Sequence, residues 1–203
     1  MDDITHKETI TIEHYDNNAD AFWAGTKDHD VSQNIQAFLA ALPDDKPLEI
    51  LDLGCGPGRD LQHFKSLGHL PTGLDGSKRF CKMASKHSGR PTLNQNFVNM
   101  DLARNSFDGV FANASLFHVP SSELVNVLKK LHACLREDGI LFSSNPRGDT
   151  ESWQGQRYGH YFELGASKDF LQQAGFKVLD HYYRPHGQPR ALQPWLAIIS
   201  RRV

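Results

Sequence analysis

The sequence predicts one α/β domain with a seven-stranded, mostly parallel sheet that ends in an antiparallel pair of strands. Between residues 48 and 145, short apolar runs alternate with segments of helical spacing, which is the pattern of parallel strands joined by crossover helices. A glycine cluster directly follows the first apolar run. After residue 175, two apolar runs follow one another without a helix between them, which indicates an antiparallel hairpin added to the edge of the sheet.

The elements of this domain follow in order along the chain. Apolar residues at three-to-four spacing predict an amphipathic helix over residues 31–42, ahead of the sheet. The strands are predicted at residues 48–53, about 70–75, 93–97, 107–113, 138–144, 176–184 and 195–201. The intervening helices are predicted to begin near residue 59 and to span about 77–87, 121–135 and 166–174, with Gly175 stopping the last one.

The segment PRGDTESWQGQRYGHYF, residues 146–162, shows neither a helical nor a strand period. It is long for a structureless connection, and long loops of this kind usually carry function. We therefore predict a functional loop after the fifth strand.

The composition argues against several classes of function. The 203 residues suit one domain, and 22 Lys+Arg against 24 Asp+Glu give no basic surface that would favour nucleic acid as a partner. No stretch approaches the roughly 20 apolar residues that cross a bilayer, so no membrane partner is expected. Three widely spaced cysteines suit a reducing, cytoplasmic setting, and the eleven histidines show no zinc-like spacing that would predict a metal.

The glycine cluster Asp52-Leu-Gly54-Cys-Gly56-Pro-Gly58 lies between a predicted strand and a predicted helix. Glycines there allow a tight turn and a close approach of backbone to a ligand. Their Gly-x-Gly-x-Gly spacing differs from the dinucleotide fingerprint and favours S-adenosylmethionine (SAM), which has no pyrophosphate, over NAD. Asp75 ends the next strand, 17 residues after Gly58, where a carboxylate can accept hydrogen bonds from both ribose hydroxyls.

Four segments, LDLGCGPG, LDGS, FDGVFANASLFHV and LREDGILFSSNPRG, resemble the successive motifs of class I SAM-dependent methyltransferases, whose fold is Rossmann-like. The resemblance implies that SAM is the cofactor. The donor-binding residues that it implies are Tyr15, Asp52, Gly54, Cys55, Gly56, Gly58, Arg59, Asp75, Gly76, Ser77, Asn96, Phe97, Asn113 and Ala114. Asn96 departs from the family, which commonly has Asp there to accept a bond from the adenine amino group; an Asn oxygen can take that role.

A closer resemblance extends to the two ends of the chain. The segments YDNNADAFWAGTKDHDVSQNI, RYGHYF and HYYRPHGQPRALQPWLA resemble the methyltransferase domain of ovothiol-forming enzymes. That resemblance implies methylation of a ring nitrogen of 5-thiohistidine, with a separate sulfoxide synthase as a candidate partner. It also implies a single domain over residues 1–203, with residues 1–45 as a helical lid and residues 46–203 as the Rossmann-like core.

The acceptor should be small, flat and amino-acid-like. His118, just past the fourth strand, is the candidate to orient its ring as a catalytic residue. Arg147 is the leading anchor for its carboxylate, with Arg157, Arg184 and Arg190 as competitors. Further candidates for hydrogen bonding or stacking against the acceptor are Trp23, Phe117, Asn145, Tyr158 and Tyr161. Phe22 is expected to pack against the N-terminal helix.

Other functions remain open on the sequence. A methyltransferase acting on another small thiol, phenol or carboxylate would share every motif up to residue 114. A SAM-binding protein without catalysis, for example a partner of a sulfoxide synthase, would also keep the glycine cluster. A nicotinamide oxidoreductase is disfavoured by the glycine spacing and by the terminal hairpin.

Overall fold

The computed structural model describes residues 3–43 and 47–203. The strands are β1 (Glu49–Leu53), β2 (Leu70–Asp75), β3 (Thr92–Asn94), β4 (Phe107–Asn113), β5 (Leu135–Pro146), β6 (Glu151–Gln154), β7 (Arg157–His160), β8 (Phe176–Arg184) and β9 (Trp195–Arg202). The helices are α1 (Asp3–Asn17), α2 (Ala19–Thr26), α3 (Ser32–Leu39), α4 (Arg59–Ser66), α5 (Lys78–Ser88), α6 (Ser121–Cys134) and α7 (Leu164–Gln173).

The main sheet has seven strands in the order β3-β2-β1-β4-β5-β9-β8. Strands β1 to β5 are parallel, whereas β9 is antiparallel to both β5 and β8. This arrangement confirms the predicted α/β fold with its antiparallel C-terminal pair. The direction of winding reverses between β1 and β4, and in open α/β sheets ligands bind in the crevice at the carboxyl ends of such strands.

Both faces of the sheet are covered, because alternate side chains of each buried strand point to opposite faces. One face packs with α6 and α7, and Leu51 and Val110 belong to its core. On the other face, Phe111 and Phe142 stack at a centroid distance of 5.0 Å beneath Phe38 of α3. Gly109 leaves room for this packing, since a Cβ there would lie 2.5 Å from Cζ of Phe38.

The segment predicted as a structureless loop, residues 146–162, instead contains the β6–β7 hairpin. Its strands pair from Glu151↔His160 to Gln154↔Arg157 and are joined by a turn with Gly155 at φ +61°. All of β6 is exposed, so the sequence has no alternating apolar pattern. The hairpin packs on α1, where the backbone N–H of Tyr158 donates to Thr11 Oγ1 at 3.0 Å. This tertiary contact stabilises the hairpin although its local sequence has no strand pattern.

The helices of the N-terminal segment also differ from those predicted from the sequence. Two helices, α1 and α2, precede the one predicted at residues 31–42, which is shorter than expected and ends at Leu39. No helix in residues 3–43 or 47–203 is long and apolar enough to cross a membrane.

Candidate donor and acceptor site

A cavity of about 720 Å³ lies at the carboxyl ends of β1, β2 and β4. Its floor is the glycine cluster and its opposite wall is formed by α1 and α2, which contribute Tyr15, Phe22 and Trp23. Ligand cavities commonly measure 300–1,000 Å³, so this one can hold a nucleoside-sized donor together with a small acceptor.

The three glycines of the cluster all have positive φ, but they serve different purposes. A Cβ on Gly54 would lie 2.4 Å from the Cβ of Ser115, and one on Gly58 would lie 2.7 Å from the Cα of Ala84 in α5. Gly56, at φ +52°, faces the cavity and meets only Phe22 at 3.7 Å. The structure therefore brings Gly54, Cys55 and Gly56 to the cavity, whereas Gly58 lies behind them and admits α5.

The Asp75 carboxylate is fixed at the end of β2. Its two oxygens accept from the backbone N–H groups of Gly56, at 2.9 Å, and Ser77, at 2.8 Å. Desolvation raises the pKa of Asp75 to about 6 despite these bonds. Gly76 and Ser77 also line the cavity, and the Ser77 hydroxyl caps α5 by accepting from the N–H of Phe80. A buried carboxylate with remaining acceptor capacity beside a glycine floor fits the ribose of SAM.

A chain of hydrogen-bonded polar side chains, in which Asn34 and Asp60 are buried, reaches the cavity wall beside the glycine floor. Tyr182 Oη donates to Asn34 Oδ1 at 2.9 Å, and Asn34 Nδ2 donates to Asn113 Oδ1 at 2.9 Å. Asn113 Nδ2 then donates to Asp60 Oδ2 at 3.3 Å. Arg59 pairs with both oxygens of Asp60, at 2.7 and 2.9 Å, and also donates to the carbonyl of Thr26 in α2 at 3.0 Å.

Asp52 does not line the cavity, although sequence reasoning assigned it to the donor. It lies behind the glycine floor with Oδ2 unpartnered among the described residues. Burial and the neighbouring Asp60 carboxylate hold its pKa well above the usual range. Asp60 was missed on the sequence and does line the cavity, as do Arg59, Asn113 and Ala114.

Asn96 and Phe97, in the loop after β3, also line the cavity. Asn96 does not present a bare amide there, because its Nδ2 donates to Glu8 Oε2 at 3.1 Å and its Oδ1 accepts from the N–H of Asn99 at 3.1 Å. Glu8 of α1 lines the cavity beside them. The sequence predicts a helical lid over residues 1–45, but it does not single out Glu8.

His118 lines the cavity at the turn after β4, and both of its ring nitrogens are engaged. Nδ1 lies 2.6 Å from the carbonyl oxygen of Tyr158, and Nε2 lies 2.8 Å from the hydroxyl of Tyr15. Because a carbonyl only accepts, Nδ1 carries the proton and Nε2 accepts from Tyr15. Burial lowers the pKa of His118 to about 4, so the ring is neutral at physiological pH. Burial also raises the pKa of Tyr15, which keeps its proton.

Of the predicted acceptor residues, Trp23, Phe117 and His118 line the cavity. The other predicted residues support its wall from behind. Asn145 Oδ1 accepts from the N–H of Phe117 at 3.2 Å, and the Tyr158 hydroxyl donates away from the cavity to Glu151 at 2.7 Å. Tyr161 stacks on Phe117 with ring centroids 5.9 Å apart.

Arg147 is not brought to the cavity, which corrects the leading choice of carboxylate anchor. Its guanidinium pairs with Glu163 at 2.9 Å and donates to the carbonyls of Arg190 and Gln193. Arg157, at the start of β7, and Arg184, at the end of β8, line the cavity instead. Arg157 lies beside the Tyr15 hydroxyl, and its charge favours the phenolate of that residue.

The described residues contain no group of three or more histidine, cysteine, aspartate or glutamate side chains placed to hold a metal ion.

Comparison with known proteins agrees with this geometry. Residues 51–143 match the family described as a methyltransferase domain. An uncharacterized methyltransferase of Schizosaccharomyces pombe is 28% identical over 117 residues, which are 53% of this chain and 81% of that protein. The malonyl-[acyl-carrier protein] O-methyltransferase of Pseudescherichia vulneris is 27% identical over 60% of this chain, and the match spans half of its length.

Among solved structures, the 1,6-didemethyltoxoflavin-N1-methyltransferase of Burkholderia thailandensis, with bound 1,6-didemethyltoxoflavin and S-adenosylhomocysteine, has the same fold. Its TM-score is 0.82 at 21% identity, with 100% of this chain and 92% of that chain covered. The sheet topology and this likeness show the Rossmann-like methyltransferase fold, and residues 51–143 are similar to the methyltransferase domain family.

Proposed function

We propose that this chain transfers a methyl group from SAM to a ring nitrogen of a small, flat acceptor, and that this acceptor is 5-thiohistidine. The observation that carries the proposal is that one cavity is lined both by the glycine floor and by Trp23, Phe117 and His118. The ovothiol-type resemblance of the chain supports the choice of acceptor. The similar Burkholderia protein, named for methylation at N1, supports a ring nitrogen as the site of transfer.

SAM, when bound, supplies an electrophilic methyl group on a sulfonium. The lone pair of a ring nitrogen would form the new N–CH3 bond as the S–CH3 bond breaks and S-adenosylhomocysteine leaves, and the methylated ring would then lose its other N–H proton on release to solvent. For this in-line displacement the protein has to hold donor and acceptor at roughly 3 Å and exclude water. The aromatic faces of Tyr15 and Phe22 suit a positive sulfonium. A neutral His118 adds no repelling charge, and with Tyr15 it gives the acceptor a fixed edge to lie against.

The lid proposal follows from the same contacts. Residues 1–45 would form a lid over the core of a single domain, and the described part of this segment places Tyr15 and Trp23 against the cavity. A bond from Tyr15 to His118 ties α1 to the turn after β4. Closure of this kind would exclude water from the reacting atoms.

Arg157 is the proposed anchor for the acceptor carboxylate. A guanidinium offers two parallel donors to a carboxylate, and Arg157 lies in the cavity wall, whereas the donors of Arg147 are already used elsewhere. Replacing Arg157 with Ala should raise KM for the acceptor by about ten- to hundredfold, given the strength of charged hydrogen bonds. Arg147→Ala is the matched control and should leave KM nearly unchanged.

The deciding experiment is incubation of the purified chain with SAM and 5-thiohistidine, with histidine and a simple thiol as parallel acceptors, followed by mass spectrometry. Product with 5-thiohistidine alone supports the assignment, and fragmentation identifies the methylated nitrogen. Calorimetric binding of S-adenosylhomocysteine without turnover of any of the three acceptors would retain the donor site and refute the substrate.

A separate sulfoxide synthase, which would supply the thiohistidine, is the proposed partner, and the cytoplasm is the proposed location. The free, buried thiols of Cys55, Cys81 and Cys134 fit a reducing compartment.

A further inference from the structure

A carboxylate from α1 contacts the loop after β3 at the cavity wall. The Oε2 atom of Glu8 accepts from Asn96 Nδ2 at 3.1 Å, and its Oε1 accepts from the N–H of Val98 at 3.3 Å. Glu8 therefore spans the loop after β3 and lines the cavity there. It lies on the same face of α1 as Thr11 and Tyr15, which also line the cavity.

Ile12 and Phe97 line the cavity together with Glu8 and Asp75. Ile12 of α1 lies so close to Gly76 that a Cβ on this glycine would be 2.7 Å from Ile12 Cδ1. The ring of Phe97 approaches the glycine floor, 3.3 Å from where a Cβ of Gly54 would lie. A flat, apolar-faced group can fit between such walls, and the group attached to the ribose of the donor is a purine.

Asn96 is poorly placed to read the edge of that purine, because its amide is oriented by Glu8 on one side and by the turn to Asn99 on the other. We propose that the carboxylate of Glu8 accepts a hydrogen bond from the exocyclic amino group of the donor adenine, so that α1 reads the base. An ionised carboxylate can accept about four hydrogen bonds and makes stronger ones than a neutral amide does. This inference rests on SAM as donor and is independent of the acceptor.

The test compares calorimetric affinities for S-adenosylhomocysteine and S-inosylhomocysteine, in which a carbonyl oxygen replaces the amino group. The wild-type chain should bind the adenine compound more tightly by at least about tenfold, because a carbonyl oxygen facing a carboxylate loses a charged hydrogen bond. Glu8→Ala should bring the ratio of the two affinities close to one. Glu8→Gln, whose amide can donate to the carbonyl, should improve binding of the inosine compound. Glu13→Ala, at an exposed position of the same helix, is the control and should keep the wild-type ratio.

A purely structural role for Glu8 has a different signature. If Glu8 only held α1 against Asn96, its removal would weaken both ligands equally and leave the ratio unchanged, and that result would overturn the inference. A wild-type ratio near one would overturn it as well. In both cases tight binding of S-adenosylhomocysteine and turnover of an acceptor would still stand, so the two proposals fail independently.

Discussion

The Asp75 carboxylate should make donor affinity depend on pH near the acidic edge of the physiological range. Burial raises the pKa of this group to about 6, and only the ionised form can accept from both ribose hydroxyls while also accepting from Gly56 and Ser77. Because the folded-state pKa is above the ordinary value, binding strength is present above pH 6 and is lost as pH falls through that value.

The size of the effect follows from the ionised fraction. With a pKa of about 6, roughly ten elevenths of Asp75 is ionised at pH 7 and roughly one eleventh at pH 5. The dissociation constant of S-adenosylhomocysteine should therefore rise about tenfold between these pH values, equivalent to about 1.4 kcal/mol.

Calorimetric titration from pH 5 to pH 8 measures this dependence directly. Asp75→Asn should bind the ligand more weakly at pH 8 and show almost no pH dependence, whereas Asp169→Asn, exposed on α7, should behave as the wild-type chain does. A flat profile for the wild-type chain, or an unchanged slope in Asp75→Asn, would refute the role given to this carboxylate.

Three further predictions concern stability. Gly58→Ala should lower the free energy of unfolding by more than about 2 kcal/mol, because the new Cβ would lie 2.7 Å from Ala84 Cα and the residue would keep φ +94°. Gly68→Ala is the control: this position has φ +87° but open space around it, so its loss of about 1–2 kcal/mol measures the backbone cost alone. Because burial lowers the pKa of His118 to about 4, the contribution of this residue to stability is present above pH 6.5 and falls by about 3 kcal/mol as the pH drops toward 4. Denaturant titrations of His118→Asn should lack this loss, and an identical acid dependence in that variant would contradict the assignment. Asn34→Ala should lower the free energy of unfolding by about 3 kcal/mol, since it leaves Asn113 Oδ1 and Tyr182 Oη without their partner. Gln36→Ala, at an exposed position of the same helix, should cost little, and equal losses in the two variants would contradict the role of this hydrogen-bonded chain in stability.

The centre of the sheet was predictable because β1, β4 and the second half of β5 are buried on both faces and read as apolar runs, and because a glycine cluster marked the first turn. Hydrophobic periodicity did not give the bounds of α1. A helix that covers a ligand cavity has polar residues on its inner face, as Glu8, Thr11 and Tyr15 show, so its hydrophobic periodicity is weak. The three- and four-residue spacing of these polar side chains was the signal that could have revealed it.

More of the predicted donor residues than of the predicted acceptor residues line the cavity, since backbone turns and strand ends place the first and side-chain directions place the second. Arg147 illustrates the difference. It follows β5 as predicted, but its backbone continues toward β9 by donating to the carbonyl of Pro194 at 2.8 Å, and Glu163 then neutralises its guanidinium. A position at a strand end gives no information about either contact. Arg157 reaches the cavity only because the unpredicted hairpin presents it there.

The chain of hydrogen-bonded polar side chains fixes the orientation of the Asn113 amide beside the glycine floor. Tyr182 donates to Asn34, Asn34 donates to Asn113, and Asn113 donates to Asp60, so the amide of Asn113 has one orientation. Its polar atoms are thereby committed to protein partners, and the backbone at the end of β4 is left to face the donor. The next residue, Ala114, has φ +60°, which turns the chain sharply into the segment carrying His118. Because Arg59 joins the same chain to the carbonyl of Thr26 in α2, donor floor and covering helix share one network. A substitution in α3 that breaks the network should therefore weaken donor binding without touching the cavity.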